Sequence, residues 1–391
     1  MQKTRDKQKL IQEAIDRAVD NKEVAGVNLL VFQEQKEIYY AQGGYSDLET
    51  KRPMDRDTIC HLYSQTKPIT AAAAMLLMQD GLIDLNQSVG DFIDSFKSQK
   101  CLINGKVKKV PSDKHVRIID LLNMTSGLVY PGLESAAERE TTILFTEAIR
   151  RLDTKNQMST LEFAERIGEF TLKFVPGSYF QYGTSADVLG AVIEKVTGMK
   201  YGEFLKERLF DPLEMQDTAF IVPKEKKDRM AGIYKIHRGQ LRRLKDNHLL
   251  IRNDGGPNAF ESGGAGLMST LDDYMHFGQM LLNGGTYKGK EILTPATVHF
   301  LTHGCLTPMQ QRAFDNWQGL EGHTYGNLMR VMKNPDQAVI IGHKGEYGWD
   351  GWLGAYFMND PSTQTTMVML TQMADYATGA LTRKLRNIIL S

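Results

Sequence analysis

The chain has 391 residues, of which 41% are hydrophobic, so it can bury a large core and is longer than most single-core domains. Its 47 Lys and Arg residues balance 47 Asp and Glu residues, which argues against a surface that gathers nucleic acid or anionic membrane. We therefore expect one compact enzyme whose partner is a small, weakly charged molecule. Nothing in the sequence specifies the number of subunits.

The amino-terminal segment predicts an intracellular protein. Residues 1–7 are mostly charged and lead into an amphipathic pattern that includes Ile11, Ala14 and Ala18, without the apolar core of a secretory signal. The longest apolar run, Ala71–Met78, is far shorter than the roughly 20 residues that a membrane span requires. The three cysteines are odd in number and widely separated, which fits reduced thiols. These features predict a cytoplasmic enzyme.

After the first helix, the pattern predicts a hairpin and then a buried helix. Gly26–Phe32 and Lys36–Ala41 have the composition of two short strands joined by a polar turn. Ile69–Met78 is rich in small and straight-chain residues and is closed by Gly81, which predicts a buried helix. Ser64 to Lys67 lie in the first turn of this helix.

The middle of the chain, from about residue 84 to about residue 217, is predicted to be mostly helical. Three segments have the apolar period of helices: Leu161–Phe170, Ala186–Val196 and Tyr201–Leu209. Two charged stretches, Ser98–Lys114 and Glu134–Lys155, are typical of solvated surface, and we expect them to be surface insertions.

Past Pro223 the composition returns to strands and turns. A helix is predicted over Thr270–Leu282, followed by three strands and a final helix: Ala338–Ile341, Gly354–Met358, Thr365–Leu370 and Ala374–Leu390. Strands at both ends predict an α+β fold, with an antiparallel sheet built from both termini and an inserted mainly helical lobe. We expect a sheet lobe of residues 1–60 and 225–391, a helical lobe of residues 61–224, and a site in the cleft between them.

The chemistry-bearing motif with the clearest geometry is Ser64-Gln65-Thr66-Lys67. The sequence has no G-x-S-x-G, H-E-x-x-H or G-x-x-x-x-G-K-[ST] motif, and no G-x-G-x-x-G after a predicted strand. This argues against an α/β-hydrolase, a zincin, an NTPase and a dinucleotide-binding enzyme. On a helix, positions i and i+3 share a face, so Ser64 and Lys67 can meet. A lysine whose pKa is lowered by burial can activate a serine, and the helix amino terminus suits an oxyanion.

Two further segments carry candidate site residues. Tyr182 lies between a Pro-Gly turn and the next helix, where its hydroxyl can relay a proton into a cleft. His343-Lys344-Gly345-Glu346 follows a predicted strand, and Gly345 allows a substrate to approach the strand edge. The backbone N–H of Glu346 would then complete an oxyanion hole with that of Ser64.

A metal site is not expected. His299 and His303 have i, i+4 spacing, but no third ligand lies near them in the sequence. We therefore expect no metal and no cofactor.

Together and in this order, these elements resemble the serine β-lactamase and penicillin-binding protein superfamily, and specifically its class C-like esterase branch. That branch pairs S-x-x-K with Y-x-N and then with K-T-G, H-x-G or W-x-G. Four more stretches match its patterns along nearly the whole chain: Leu121–Leu128, Val175–Tyr182, Phe210–Met215 and Gly264–Thr270. The resemblance implies a β-lactamase-like fold, Ser64 as nucleophile, Lys67 and Tyr182 as the acid and base, and His343 and Gly345 lining the pocket.

The departures from the family pattern bear on the substrate. Thr184 replaces the usual asparagine, and His343 replaces the lysine of true β-lactamases, so recognition of a β-lactam or peptide is weakened. The leading hypothesis is a hydrolase or acyltransferase of small carboxylic esters. The alternatives are a D-amino-acid peptidase or weak β-lactamase on the same scaffold, and a non-catalytic binding protein that keeps the fold.

Overall fold

The fold is described from a computed structural model that covers residues 6–391. The charged segment at residues 1–5 lies outside the described residues. Within the described part of the chain, no helix is both long and apolar enough to cross a membrane.

The strands, several of them only two residues long, are numbered in chain order. They are β1 (Gly26–Gln33), β2 (Lys36–Asp47), β3 (Arg52–Pro53), β4 (Cys60–His61), β5 (Lys100–Ile103), β6 (Lys106–Lys109), β7 (Thr171–Leu172), β8 (Tyr234–His237), β9 (Gln240–Arg243), β10 (Met268–Ser269), β11 (Thr286–Tyr287), β12 (Lys290–Glu291), β13 (His323–Gly326), β14 (Met329–Met332), β15 (Tyr347–Asp350), β16 (Tyr356–Asp360) and β17 (Thr365–Thr371).

The helices are numbered in the same way. They are α1 (Lys7–Asp20), α2 (Thr66–Gln79), α3 (Ile118–Leu122), α4 (Ala136–Arg151), α5 (Thr160–Gly168), α6 (Ser185–Thr197), α7 (Tyr201–Leu205), α8 (Leu271–Leu282), α9 (Pro295–Thr302), α10 (Pro308–Phe314) and α11 (Ala380–Leu390). A single π-helical turn, Lys206–Phe210, continues α7.

The main sheet has eight strands in the order β13-β14-β15-β16-β17-β1-β2-β3, and its neighbouring strands pair antiparallel. Strand β1 lies between β2 and β17, so the sheet joins the two ends of the chain. This confirms the predicted α+β fold with an antiparallel sheet built from both termini. The division into two lobes stays a prediction.

Side chains of β1 alternate between two cores, as the period of a strand requires. Val27, Leu29 and Val31 pack with α1 and α11 on one face of the sheet. Leu30 belongs to the larger core on the other face, which includes the apolar residues of α2, α5, α6 and α8. Helix α2 is buried over nearly its whole length, so the predicted buried helix is confirmed.

The predicted strand at Ala338–Ile341 is wrong. A 3₁₀ turn at Pro335–Gln337 precedes this segment, and Val339 and Ile341 are exposed. Strand β14 pairs directly with β15, although residues 338–341 lie between them in sequence, so this segment forms no strand between the two. The apolar residues of the segment were mistaken for a buried strand, although they lie outside the sheet.

The last predicted helix begins later than expected, at Ala380 instead of Ala374. Asp375 and Ala377 have φ values of 61° and 43°, which a right-handed helix cannot contain. Strand β16 is likewise shifted, because Gly354 with φ of 88° forms a tight turn before it.

The charged stretch Glu134–Lys155 is not a surface insertion. It contains α4, whose apolar face is buried, and Phe145 packs edge-to-face against Phe163 at 5.5 Å between ring centroids. The other charged stretch forms the β5–β6 hairpin, and every residue of β6 is exposed as expected.

Candidate active site

Ser64 lies in a strained turn at the start of α2. Residues 63–65 form a single 3₁₀ turn, and Tyr63 has φ of 47°, a conformation that costs a bulky residue about 1–2 kcal/mol. Tyr63 and Gln65 are buried, and Tyr274 donates its hydroxyl to the Gln65 carbonyl at 2.8 Å. Ser64 itself is partly exposed. The turn therefore presents one hydroxyl from an otherwise buried segment.

Lys67 is fully buried and reaches Ser64 directly. Its Nζ donates to Ser64 Oγ at 3.2 Å, to Tyr130 Oη at 3.1 Å and to the Gly264 carbonyl at 2.8 Å. Burial lowers the pKa of Lys67 to about 7, although the carboxylates of Asp187 and Asp350 oppose that shift. Lys67 is therefore a base whose neutral form is populated near neutral pH.

Tyr182 lies on the other side of Lys67. The lysine Nζ is 4.6 Å from the centroid of the Tyr182 ring, and Trp349 Nε1 donates to Tyr182 Oη at 3.0 Å. Burial raises the pKa of Tyr182 well above its ordinary value, while hydrogen bonding to Ser64 and Trp349 opposes the rise. Tyr182 is thus held as a neutral phenol that can donate a proton near Ser64.

A buried carboxylate holds the backbone that faces Lys67. Asp187, in the first turn of α6, accepts from Ser262 Oγ at 2.5 Å and from the Gly264 N–H at 3.1 Å. Burial raises the pKa of Asp187. This network fixes the Gly264 carbonyl that accepts from Lys67, so it sets the direction of the ammonium group.

Strand β15 ends against the Ser64 turn. A Cβ atom at Gly351 would lie 2.1 Å from the Leu62 carbonyl oxygen, so only glycine permits this approach. Trp349, two residues earlier, is buried and contacts Tyr182. The segment Trp349-Asp350-Gly351 therefore forms the strand side of the site.

Two backbone N–H groups flank Ser64 without an acceptor in the part of the chain that the structure describes. They belong to Ser64 and to Trp352, which directly follows Gly351. Unpaired donors beside a serine hydroxyl are the arrangement that an oxyanion hole requires. Ser64 and Trp352, instead of Ser64 and Glu346, are therefore the candidate pair of donors.

The predicted oxyanion role of Glu346 is wrong, because its N–H already donates to the His343 carbonyl at 3.0 Å. Its buried carboxylate pairs with Arg386 at 2.6 and 2.8 Å. His343 lies at the opposite end of β15 from Gly351 and pairs with Asp360 at 2.6 Å. Gly345 and Gly351 are six residues apart, about 20 Å along an extended strand. The structure therefore does not bring residues 343–346 to Ser64.

Thr184 is buried at the amino terminus of α6, and its hydroxyl donates to the Val129 carbonyl at 3.4 Å. The hydroxyl that replaces the usual asparagine amide is therefore used within the protein. The rejected metal pair, His299 and His303, stacks ring on ring at 3.9 Å.

Sequence reasoning missed four groups of this site: Tyr130, Asp187, Trp349 and Trp352. Trp349-Asp350-Gly351 fits the W-x-G form of the family motif, so this signal was present beside the H-x-G match. Tyr130 and Asp187 had no local signal, because they reach Lys67 only through the packing of distant segments.

The fold is that of the β-lactamase and transpeptidase class. The Beta-lactamase family model matches residues 11–388, so the chain belongs to that family. The predicted superfamily resemblance is thereby confirmed.

Relatives and solved structures with similar chains include an esterase and a hydrolase. Esterase EstB of Burkholderia gladioli is 27% identical over 388 residues, covering 96% of this chain and 93% of the relative. Protein Rv1367c of Mycobacterium tuberculosis is 28% identical over 374 residues, covering 92% and 89%. The structure of EstCE1, a hydrolase with promiscuous acyltransferase activity, has a TM-score of 0.83 at 24% identity and covers 98% of each chain. These likenesses agree with the family assignment and with the β-lactamase fold.

Proposed function

We propose that this chain hydrolyses small, uncharged carboxylic esters, or transfers their acyl groups, through an acyl-enzyme on Ser64. The observation that carries the proposal is the contact of 3.2 Å between Ser64 Oγ and the fully buried Lys67 Nζ, whose pKa is lowered to about 7 by burial. A serine requires such a base to become a nucleophile.

The contacts around Ser64 support the following catalytic cycle. Neutral Lys67 takes the Ser64 proton as the serine oxygen attacks the ester carbonyl, and the negative oxygen accepts from the N–H groups of Ser64 and Trp352. Tyr182 protonates the leaving alcohol, and the proton on Lys67 restores Tyr182. Water or a second alcohol then attacks the acyl-enzyme by the reverse of these transfers.

The surroundings of the nucleophile favour an uncharged, apolar substrate. The Trp317 indole is 36% exposed and lies edge-on to the Tyr182 ring at 5.0 Å, beside buried Trp349. Trp349 is the first residue of the W-x-G motif, where true β-lactamases have the lysine of K-T-G, so an indole stands in place of the cation that would attract a substrate carboxylate. β-Lactams and peptides with a free carboxyl terminus carry that group, so esters are the better fit.

The test compares p-nitrophenyl butyrate hydrolysis by the wild type, Ser64→Ala and Ser178→Ala. Ser178 lies exposed on a turn and bonds only to the Val175 carbonyl, so its variant is the matched control. We expect Ser64→Ala to abolish turnover and Ser178→Ala to retain it. Equal turnover by wild type and Ser64→Ala would refute the mechanism.

The substrate class is tested by parallel assays with nitrocefin and a D-Ala-D-Ala peptide. We expect ester turnover to exceed both by at least about a hundredfold, since the Trp349 indole stands where a lysine would attract the carboxylate of these two substrates. Comparable rates would favour the peptidase or β-lactamase alternative. Failure of a phosphonate ester probe to modify Ser64, read by intact-protein mass, would favour the non-catalytic alternative.

A further inference from the structure

We propose that His248, Asp375 and Tyr63 form a clamp on the Trp352 indole that orients the Trp352 backbone N–H toward the developing oxyanion. His248 is then a positioning residue of the site, although it lies on the segment between β9 and α8, far from Ser64 in sequence. The inference rests on the proposed function, because it assigns a role to a donor of the oxyanion hole.

Three contacts hold the indole from different directions. The His248 ring stacks on it with centroids 4.1 Å apart and planes 28° apart. The Tyr63 ring meets it edge-on at 5.0 Å, and Trp352 Nε1 donates to Asp375 Oδ1 at 2.7 Å. Two aromatic contacts and one charged hydrogen bond leave the indole a single orientation.

The backbone explains why such a clamp is needed. The Trp352 N–H belongs to the peptide that joins Gly351 to Trp352, and the carbonyl of that peptide accepts from the Gly354 N–H at 2.8 Å, which restrains its Gly351 end. The clamp restrains the Trp352 end of the same peptide. The Trp352 carbonyl accepts from Tyr376 N at 3.1 Å, but the N–H has no acceptor within residues 6–391. Fixing the side chain therefore fixes φ of Trp352 and, with it, the direction of the N–H.

The clamp residues come from three separate parts of the chain, and one of them, Tyr63, belongs to a small apolar cluster. Tyr63, Ile251 and Leu353 are its buried members near the clamp, and Trp352 packs against them. Burial lowers the pKa of His248, while the charge of Asp375 opposes that shift, so the imidazole can stack as a neutral ring. Because Tyr63 immediately precedes Ser64, its contact with Trp352 links the turn that carries Ser64 to the residue that supplies the second N–H donor.

The test compares His248→Ala with His248→Phe. Loss of one oxyanion donor costs about 10²–10³ in kcat, so we expect a loosened donor to cost about tenfold in His248→Ala. We expect KM for p-nitrophenyl butyrate to change by less than about twofold, because the substrate is not contacted. His248→Phe preserves a flat stacking ring and should restore kcat to within about twofold of the wild type.

A transition-state analogue gives a second readout. Binding of a trifluoromethyl ketone, which forms an oxyanion on Ser64, should weaken in His248→Ala by the same factor as kcat/KM. His303→Ala is the matched control, since His303 also stacks on an aromatic ring, that of His299, outside the site. We expect it to retain wild-type kcat, and thermal unfolding of each variant excludes loss of folded protein.

The proposed clamp is refuted if His248→Ala keeps wild-type kcat or raises only KM. It is also refuted if His248→Phe remains folded but does not restore kcat. These outcomes are distinct from failure of the proposed function. If Ser64→Ala is inactive while His248→Ala is fully active, only the clamp is wrong. If Ser64→Ala is as active as the wild type, the proposed function itself is wrong.

Discussion

Two short segments on either end of β15 match the same family motif, yet they have different tasks in the fold. His343-Lys344-Gly345 precedes the strand and lies among charged pairs, with His343 on Asp360 and the next residue, Glu346, on Arg386. Trp349-Asp350-Gly351 ends the strand against the Ser64 turn. A three-residue motif thus identifies a strand, while packing decides which end of that strand meets the nucleophile.

The largest effect expected from this comparison is on stability. Glu346→Gln leaves Arg386 as an unpaired charge in a fully buried position, which costs about 3–5 kcal/mol. Chemical denaturation should report this loss, and the folded fraction should retain wild-type kcat. A variant with normal stability and reduced kcat would contradict this result by placing the Glu346 side chain in the active site.

Alanine substitutions at Gly351 and Gly345 give the clearest test of which segment contacts the nucleophile. Gly351→Ala forces a Cβ atom onto the Leu62 carbonyl and should lower kcat/KM by about a hundredfold or more, because the donor strand moves from Ser64. At Gly345 no atom lies within 4 Å of the added carbon, so Gly345→Ala meets only the strain of φ at 90°. We expect that variant to lose about 1–2 kcal/mol of stability and no activity. A steady-state assay that ranks the two in the opposite order would restore the H-x-G assignment.

The pH profile separates the two segments by their titrating groups. Since neutral Lys67 is the base and its pKa is about 7, kcat/KM should rise about tenfold per pH unit below 7 and level off above it. His343→Ala is the matched control, because His343 pairs with Asp360 at the other end of β15. An unchanged profile in that variant assigns the titration to Lys67, while loss of the lower limb assigns it to His343.

Lys67 should also couple stability to pH. In the unfolded chain the amine stays charged up to its ordinary pKa of 10.5, whereas the folded protein releases the proton near pH 7. Between these values the unfolded state binds more protons, so this group makes stability rise with pH. Lys67→Met should therefore stabilise the protein most below pH 7, and its advantage should vanish toward pH 10.5.

The smallest effect is expected at His343 itself. Its side chain is 42% exposed, and its pair with Asp360 lies away from Ser64. We expect His343→Ala to cost less than about 1 kcal/mol of stability and to leave kcat within twofold of the wild type. A large loss of kcat, measured with the same ester, would contradict the placement of this segment.

The parts of the molecule that sequence predicts well are those governed by local rules. The hairpin of β1 and β2 and the buried helix α2 follow from composition and periodicity, although β2 extends to Asp47, beyond the predicted end at Ala41. Residues 338–341 were mistaken for a strand because apolar composition does not tell which segment occupies a sheet position. Tyr130 and Asp187 escaped notice because only tertiary packing brings them to Lys67.

The position of β1 between β2 and β17 has a consequence for chain connectivity. Helices α1 and α11 lie side by side, and Lys7 Nζ donates to the Ile389 carbonyl at 2.9 Å, so the two ends of the described chain are neighbours in space. The exposed Asn104–Gly105 turn between β5 and β6 is a suitable position for new chain termini. A circular permutant joined through a short glycine linker and opened at this turn should therefore assemble the same site from a reordered polypeptide.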